Sequence, residues 1–157
     1  MTVKIIGALL ITLSALVASL SHSRFQRKRL LTVDGFVSLL AYIKGRIDCY
    51  ALPLSEILSS LSLNILYDCN CPEGAETLDE MINNSRIYLD EESERLLDSF
   101  SLEFGSIFRE EQLRRCDYYI EALAEQRGKI YEDVKKRSRV GSALLICSSL
   151  GLLILLL

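Results

Sequence analysis

Few side chains in this 157-residue chain are of the types that carry out chemistry at neutral pH. The single histidine, His22, directly follows an apolar run, so histidine-based acid–base catalysis is excluded from the rest of the chain. Neighbouring carboxylates such as Glu110 and Glu111 usually form a solvated helix face or the first turn of a helix. Glycine-rich phosphate loops, nucleophile elbows and paired-histidine zinc motifs are absent from the sequence. The sequence therefore predicts a protein that is not an enzyme.

The five cysteines favour free thiols over a metal site or a disulfide framework. Cys69 and Cys71 are separated by one residue, and the sequence offers no second pair to complete the four ligands of a structural zinc site. Thiols in a reducing compartment are not expected to form disulfides. We therefore expect a turn with two free thiols, and neither a metal nor a cofactor.

Two apolar runs lie at residues 3–21 and 140–157. The second contains 18 residues without a charge, which is within the range of about 17–25 residues that cross a bilayer. The core of the first, Ile5–Leu20, spans about 24 Å at about 1.5 Å per residue, and Lys4 can extend from it toward the headgroups. We predict transmembrane helices at 3–21 and 140–157, joined by a cytoplasmic helical bundle at 22–139.

A cleaved secretory signal is the alternative for the first run, since a basic start and an apolar stretch are common to signals and anchors. A small-residue cleavage motif is present only weakly, at Val17-Ala18-Ser19, and a basic cluster follows at once. These features favour the anchor.

Basic residues flank both runs on the side of the intervening segment. They are Arg24, Arg27, Lys28, Arg29, Lys135, Lys136, Arg137 and Arg139. Because basic flanks stay in the cytoplasm, we predict a two-pass membrane protein with a cytoplasmic central domain.

The segment between the runs is strongly acidic. Residues 30–134 hold all 21 acidic residues against nine basic ones, so their net charge is −12. Such a segment repels nucleic acid, whose binding requires basic side chains on the phosphates. The acidity serves either solubility or the docking of a basic partner.

Apolar periodicity predicts that this segment is an all-α antiparallel bundle of about four or five helices. Helices are expected over 30–50, after Pro53, from Thr77 through Asn83, after Asp90, and along a long final segment that continues into the second apolar run. Thr77 and Glu80 are expected to form a capping box, and Asp90 is expected to cap the helix that follows it.

The apolar stripe of the first helix consists of Val33, Phe36, Leu40, Ile43 and Ile47, widened by Val37 and Leu39. The apolar positions of the final segment follow a heptad pattern: Leu113, Cys116, Ile120, Leu123, Ile130 and Val134. In that segment Arg127 interrupts the apolar positions. It either extends its head to solvent or sets the register by pairing with a charge.

Small residues recur at helical spacing within the two runs. They are Gly7, Ser14 and Ala18 in the first, and Cys147 and Gly151 in the second. Such spacing lets transmembrane helices approach closely, so the two spans could pack together or several copies could form a homo-oligomer.

Four quoted segments follow one another in a characteristic order: "VKIIGALLITLSALVASL" with its basic cluster, "YALPLSEIL", "FGSIFREEQLRRCDYYIEALAEQRGKIYEDVKK" and a closing "GLLILLL". In this order, and above all in Pro53–Leu58 and Arg109–Gln112, the chain resembles the stage III sporulation protein AB family. None of these segments is a catalytic motif, so the joint order carries the resemblance.

The resemblance implies a non-enzymatic subunit of the channel complex between mother cell and forespore, in the mother-cell membrane. The body is similar to the platform proteins of type II secretion and type IV pilus systems, which implies coupling to a cytoplasmic ATPase and contact with other channel-complex proteins. A general membrane adaptor or secretion-platform protein outside sporulation is the alternative.

Under this hypothesis the start of the long helix is a candidate partner contact. Arg109, Glu110 and Gln112 are expected to serve contact rather than folding, with Arg127 as a further candidate. Alternatively, these polar residues only cap the helix.

Overall fold

The computed structural model describes the backbone of residues 2–50, 53–104 and 108–156, and the side chains of these ranges except at 2–6, 8–12, 15–16 and 137–156. The helices are α1 (Thr2–Tyr50), α2 (Leu54–Ser59), α3 (Leu63–Asp68), α4 (Leu78–Ser85), a 3₁₀ turn (Arg86–Tyr88), α5 (Glu91–Glu103) and α6 (Arg109–Leu156). These ranges contain no strand, which confirms the predicted all-α class.

The chain divides into two compact units. One comprises residues 28–130 and is the helical bundle; the other comprises residues 1–27 and 131–157. Within the described part of the chain, no helix combines the length and the hydropathy needed to cross a bilayer. The transmembrane helices at 3–21 and 140–157, and the boundaries drawn from them, stay predictions.

Helix α1 supplies the central apolar face of the bundle. The predicted stripe is buried at every position: Val33, Phe36, Leu40, Ile43 and Ile47. Of the two positions expected to widen the stripe, Leu39 is fully buried and Val37 is half-buried. Full burial of such a side chain stabilises the fold by about 1.5–3 kcal/mol. The other helices of the bundle must therefore enclose α1 on this side.

Helix α3 was not expected from the sequence. Residues 64–77 form the least regular stretch of the pattern, yet Leu63–Asp68 is helical. Six residues are fewer than two turns, and only Leu66 among them is buried, so no apolar period can be detected over this length. The helix is held by its neighbours rather than by its own pattern.

Thr77 caps α4 as predicted, because its hydroxyl accepts a hydrogen bond from the Glu80 amide at 3.2 Å. The reciprocal bond differs from the predicted capping box. The Glu80 carboxylate accepts from the amide of Glu76 at 2.9 Å, one residue before the cap. This bond fixes the backbone that enters α4.

Asp90 precedes α5 as predicted but does not cap it through its side chain. One carboxylate oxygen accepts from the Ser93 hydroxyl at 2.6 Å, and the other accepts from the side-chain amide of Gln126 at 2.6 Å. Each carboxylate oxygen thus has a side-chain donor, one within α5 and one on α6. Asp90 therefore joins the start of α5 to α6.

The final helix, α6, runs unbroken from Arg109 to Leu156, which confirms the predicted continuity into the second apolar run. Of the positions in the predicted heptad pattern, Cys116, Leu123 and Ile130 are buried, whereas Leu113, Ile120 and Val134 are only half-buried. Tyr119 is also buried, at 5 % exposure, and extends the apolar face of α6 to one side.

Gly35 marks the closest approach between α1 and the end of α3. A Cβ atom on Gly35 would lie 2.8 Å from the carbonyl carbon of Asp68 and 2.9 Å from the amide nitrogen of Cys69. Both atoms belong to the backbone and cannot rotate away. The glycine therefore has a packing role on α1, although it weakens the helix taken alone.

We predict that Gly35→Ala destabilises the chain by roughly 1–3 kcal/mol, because the new methyl group must displace the α3 backbone. Gly45→Ala is the matched control on the same helix, since no described atom lies within 4 Å of a Cβ there. It should stabilise the chain by about 0.5–1 kcal/mol through helix propensity. Chemical unfolding of the two variants checks this, and equal effects would refute the close approach.

Candidate partner-binding surfaces

Three ion pairs join α1 to α6 within residues 28–130. They are Asp34–Arg127 at 2.5 Å, Lys44–Asp117 at 2.5 Å and Asp48–Arg109 at 3.0 Å. Residue numbers rise along α1 while they fall along α6, so these segments run antiparallel. The first two pairs are ten residues apart on both helices, which fixes a single register. The hydrogen bond to Asp117 raises the pKa of Lys44.

Arg109 lies at the start of α6 and binds the end of α1. Its guanidinium donates to the Asp48 carboxylate at 3.0 Å and also to the Asp48 backbone carbonyl. The side chain is 54 % exposed, so part of it remains accessible to a partner. Arg109 thus already has an intramolecular role at the candidate contact.

Glu110 and Gln112, the other two candidate contacts in the first turn of α6, lie in different environments. Glu110 is exposed, and none of the described residues forms an ion pair with its carboxylate. Gln112 is half-buried and lies beside Phe100 and Phe104 at the end of α5. The side chains of Arg109, Glu110 and Gln112 therefore have different neighbours, although Arg109 and Gln112 are three residues apart on the same helix.

Arg127 pairs with Asp34 across the bundle. Its guanidinium lies 2.5 Å and 3.1 Å from the two carboxylate oxygens, and the side chains are 47 % and 41 % exposed. This geometry matches the register-setting alternative, with the partner charge supplied by the same chain. Its head also remains near solvent, so a role in partner contact stays a prediction.

A polar cluster that the sequence did not indicate lies between the end of α5 and α6. Arg115 binds Glu103 at 2.6 Å and Glu111 at 3.3 Å, and the Tyr119 hydroxyl donates to Glu103 at 3.0 Å. Burial, followed by this hydrogen bond, raises the pKa of Tyr119 to about 12. The phenol is therefore neutral at physiological pH and acts as a hydrogen-bond donor.

An open cleft of about 410 Å³ adjoins this cluster, with Arg114 and Tyr118 on its wall. Both arginines in it are already paired with carboxylates, since Arg114 binds Glu111 and Arg115 binds Glu103. The cleft thus offers balanced charges rather than a cation that could hold an anion. Only long-range pairing between α5 and α6 creates it, so no local motif indicates it.

Cys69 and Cys71 lie in the turn after α3, and both thiols are free and buried. Ser85 donates to the Cys69 carbonyl, and the Asn84 side-chain amide lies 3.7 Å from the Cys71 sulfur. Burial raises the pKa of both thiols, which keeps them protonated and poorly nucleophilic. No group of three metal-ligating residues occurs within the described ranges. The turn connects α3 to α4.

The predicted transmembrane packing residues belong to the other unit. Gly7 is half-buried, Ser14 and Ala18 are exposed, and a Cβ on Gly7 would meet no described atom within 4 Å. Cys147 and Gly151 fall within the helical range of α6, but their side chains lie outside the described residues. The packing prediction remains untested.

The comparison with protein families is decisive for identity. The model of the family "Stage III sporulation protein AB" matches residues 73–157, which is more than half of the chain and includes α4, α5 and α6. The chain belongs to this family. Searches of the curated proteins and of the solved structures gave no match.

Membership of the stage III sporulation protein AB family confirms the predicted resemblance and implies a role in sporulation. The matched residues contain Arg109, Glu110, Gln112 and Arg127, whereas α1, α2 and α3 precede the match. The family is not known for an enzymatic activity.

We predict that the Asp34–Arg127 pair contributes little stability, because an exposed ion pair is worth about 0–1 kcal/mol. A double-mutant cycle with Asp34→Ala and Arg127→Ala should therefore give a coupling free energy of unfolding below about 1 kcal/mol. The same cycle at 1 M salt should give a smaller value, since salt screens exposed charges. A coupling above about 2 kcal/mol would contradict the prediction.

Proposed function

We propose that this chain is a non-enzymatic, membrane-anchored scaffold subunit of the channel complex between mother cell and forespore. Family membership supports the sporulation context. The observation that carries the anchoring is an uncovered apolar stripe on α1. Leu13, Val17 and Leu20 follow at helical spacing and are each more than half exposed, at 56 %, 56 % and 54 %.

An exposed apolar stripe is favourable only where something apolar covers it. The acyl chains of a lipid bilayer are suited to the stripe, because the basic residues that follow it carry the charge expected at a cytoplasmic membrane surface. The same charge pattern precedes the terminal apolar run at Lys135 and Lys136. The proposed protein is therefore two-pass, with residues 22–139 in the cytoplasm of the mother cell.

The continuous helices support a scaffold role. Helices α1 and α6 contain 49 and 48 residues, and each continues from the bundle into an apolar run without a break. The chain therefore leaves the bundle at both ends as helix, with its backbone hydrogen bonds satisfied. Such a design suits a platform that couples a cytoplasmic ATPase to other channel-complex proteins.

The chemistry of the three buried thiols is consistent with a non-enzymatic role; the fourth described thiol, Cys49, is exposed. Cys116 is fully buried, and burial raises its pKa to about 11. The other two buried thiols, in the turn after α3, are likewise protonated. The protein then functions through its surfaces, and the candidate contacts are Glu110, the accessible part of Arg109, Gln112 and Arg127.

A general membrane adaptor or a secretion-platform protein outside sporulation is the second candidate function. The observation that favours it is the generality of the architecture, since the uncovered stripe and the acidic bundle contain nothing specific to sporulation. The two candidate functions differ in whether the proteins that bind this chain are recovered only from sporulating cells.

We predict that the full chain resists alkaline extraction from membranes. The double variant Leu13→Arg/Leu145→Arg should become extractable, because an arginine near the bilayer centre costs about 2.5–3.5 kcal/mol per site. The control Ser21→Arg/Ser138→Arg places the same charges beside the basic flanks and should remain in the membrane. Complete extraction of the unaltered chain would refute the anchoring.

We predict that the protein, purified from sporulating cells in mild detergent, brings with it a cytoplasmic ATPase and other channel-complex proteins. Mass spectrometry of the eluate identifies them, and the same protein produced in vegetative cells is the control. If an intact, inserted protein recovers the same partners in both cell states, the adaptor function replaces the sporulation channel. If it recovers none in either state, the scaffold role is wrong.

A further inference from the structure

A second cleft of about 250 Å³ lies between α2, the entry to α4 and α5. Its floor is apolar: Leu58 and Leu78 are 4 % and 2 % exposed, and Leu54 is half-buried. Its rim is acidic, because Glu76 and Asp79 are exposed on the side of α4. The cleft therefore combines a surface for a hydrocarbon chain with carboxylates at its edge.

Two hydrogen bonds hold the acidic rim in place. The Asp79 carboxylate accepts a hydrogen bond from the Ser101 hydroxyl of α5, which fixes it across the cleft. The Glu76 amide donates to the Glu80 carboxylate at 2.9 Å, which fixes the backbone that carries the Glu76 side chain. Both rim carboxylates can still accept further hydrogen bonds, since an ionised carboxylate has about four acceptor positions.

Among the described residues, no lysine or arginine forms an ion pair with Glu76 or Asp79. Residues 47–85 contain no lysine or arginine, whereas residues 51–85 contain six acidic residues. Eight of the nine basic residues of 30–134 are paired with acids, and all of those acids lie outside 51–85. The ninth, Arg46, lies over the rings of Tyr42 and Tyr50 at 5.0 and 5.7 Å. Within the described residues, the charge of this rim is left for a partner.

We propose that this cleft binds an arginine side chain from a basic, amphipathic helical segment of a partner protein. The aliphatic stem would lie on Leu54, Leu58 and Leu78, since long basic side chains cover apolar surface while the charged head stays at its edge. The guanidinium would reach Glu76 and Asp79, because its planar fork can bind two carboxylates at once. A neutral apolar side chain would leave both carboxylates without an ionic partner.

The inference names a partner chemistry for the proposed scaffold and in that sense rests on the proposed function. Charge complementarity with Glu76 and Asp79 is the reason for proposing a basic segment of a partner protein as the occupant of the cleft. A second copy of this chain is the competing occupant, since its own basic flanks have the same charge.

The test uses the full chain in detergent and a fluorescein-labelled 15-residue helical peptide with arginine and leucine on one face. Fluorescence anisotropy measures the affinity at 150 mM salt. Glu76→Gln/Asp79→Asn should bind the peptide at least tenfold more weakly. The control Glu91→Gln/Glu121→Gln removes the same net charge from exposed positions of α5 and α6 and should change the affinity less than twofold.

Two additional measurements keep the test independent of folding and of overall charge. Ser55→Trp fills the cleft without changing a charge and should also weaken binding at least tenfold, while thermal unfolding shows that each variant remains folded. A peptide in which each arginine is replaced by 2-amino-3-guanidinopropionic acid, which keeps the guanidinium but lacks two methylene groups of the stem, should bind less tightly than the arginine–leucine peptide. Equal affinity of the two peptides would overturn the role of the apolar floor.

Equal loss of affinity in both charge variants would overturn the proposal, because binding would then follow overall charge and not the cleft. Self-association of the chain that Glu76→Gln/Asp79→Asn abolishes would also overturn it, in favour of a second copy. The peptide-binding experiment and the purification from sporulating cells test the cleft and the channel role separately. Localised peptide binding without recovery of channel-complex proteins would retain the cleft and reject the proposed function, and the reverse result would reject only the cleft.

Discussion

The burial of one face of α1 is the constraint on which the bundle depends. Five side chains between Val33 and Ile43 have no exposed surface, so the shorter helices and α6 must together exclude water from this face. Gly35 lies within the same stretch and admits the α3 backbone to within van der Waals distance. Close packing at this point explains why a six-residue helix of weak propensity is stable where it lies.

Electrostatics has a different role from burial. The ion pairs between α1 and α6 are exposed, so each contributes little free energy of folding, yet together they favour one antiparallel register. Most basic residues of the bundle are used in this way or in pairs within a helix. The acids that remain are concentrated between residues 51 and 85, which makes this the part of the bundle most suited to a basic partner.

Prediction from sequence succeeded where a pattern was long enough to be seen. The apolar period of α1 and α6 extends over many turns, and their buried positions followed from it. Prediction failed at α3, which is shorter than two turns. It also failed at Asp90, whose carboxylate does not cap α5 but accepts a hydrogen bond from Gln126, 36 positions away. Arg127 was ambiguous for the same reason, because its partner Asp34 is 93 positions away.

The sequence by itself determined the all-α class, the continuity of α6 into the second apolar run, the scarcity of catalytic groups and the acidity of the middle segment. These properties depend on residue types and on spacing within single helices, which are local quantities. Tertiary structure decided which charges are paired, why Gly35 is a glycine, and that Leu54, Leu78 and Asp79 surround one cleft. Such features depend on which helix faces meet, and that is set by the joint packing of residues far apart in the chain.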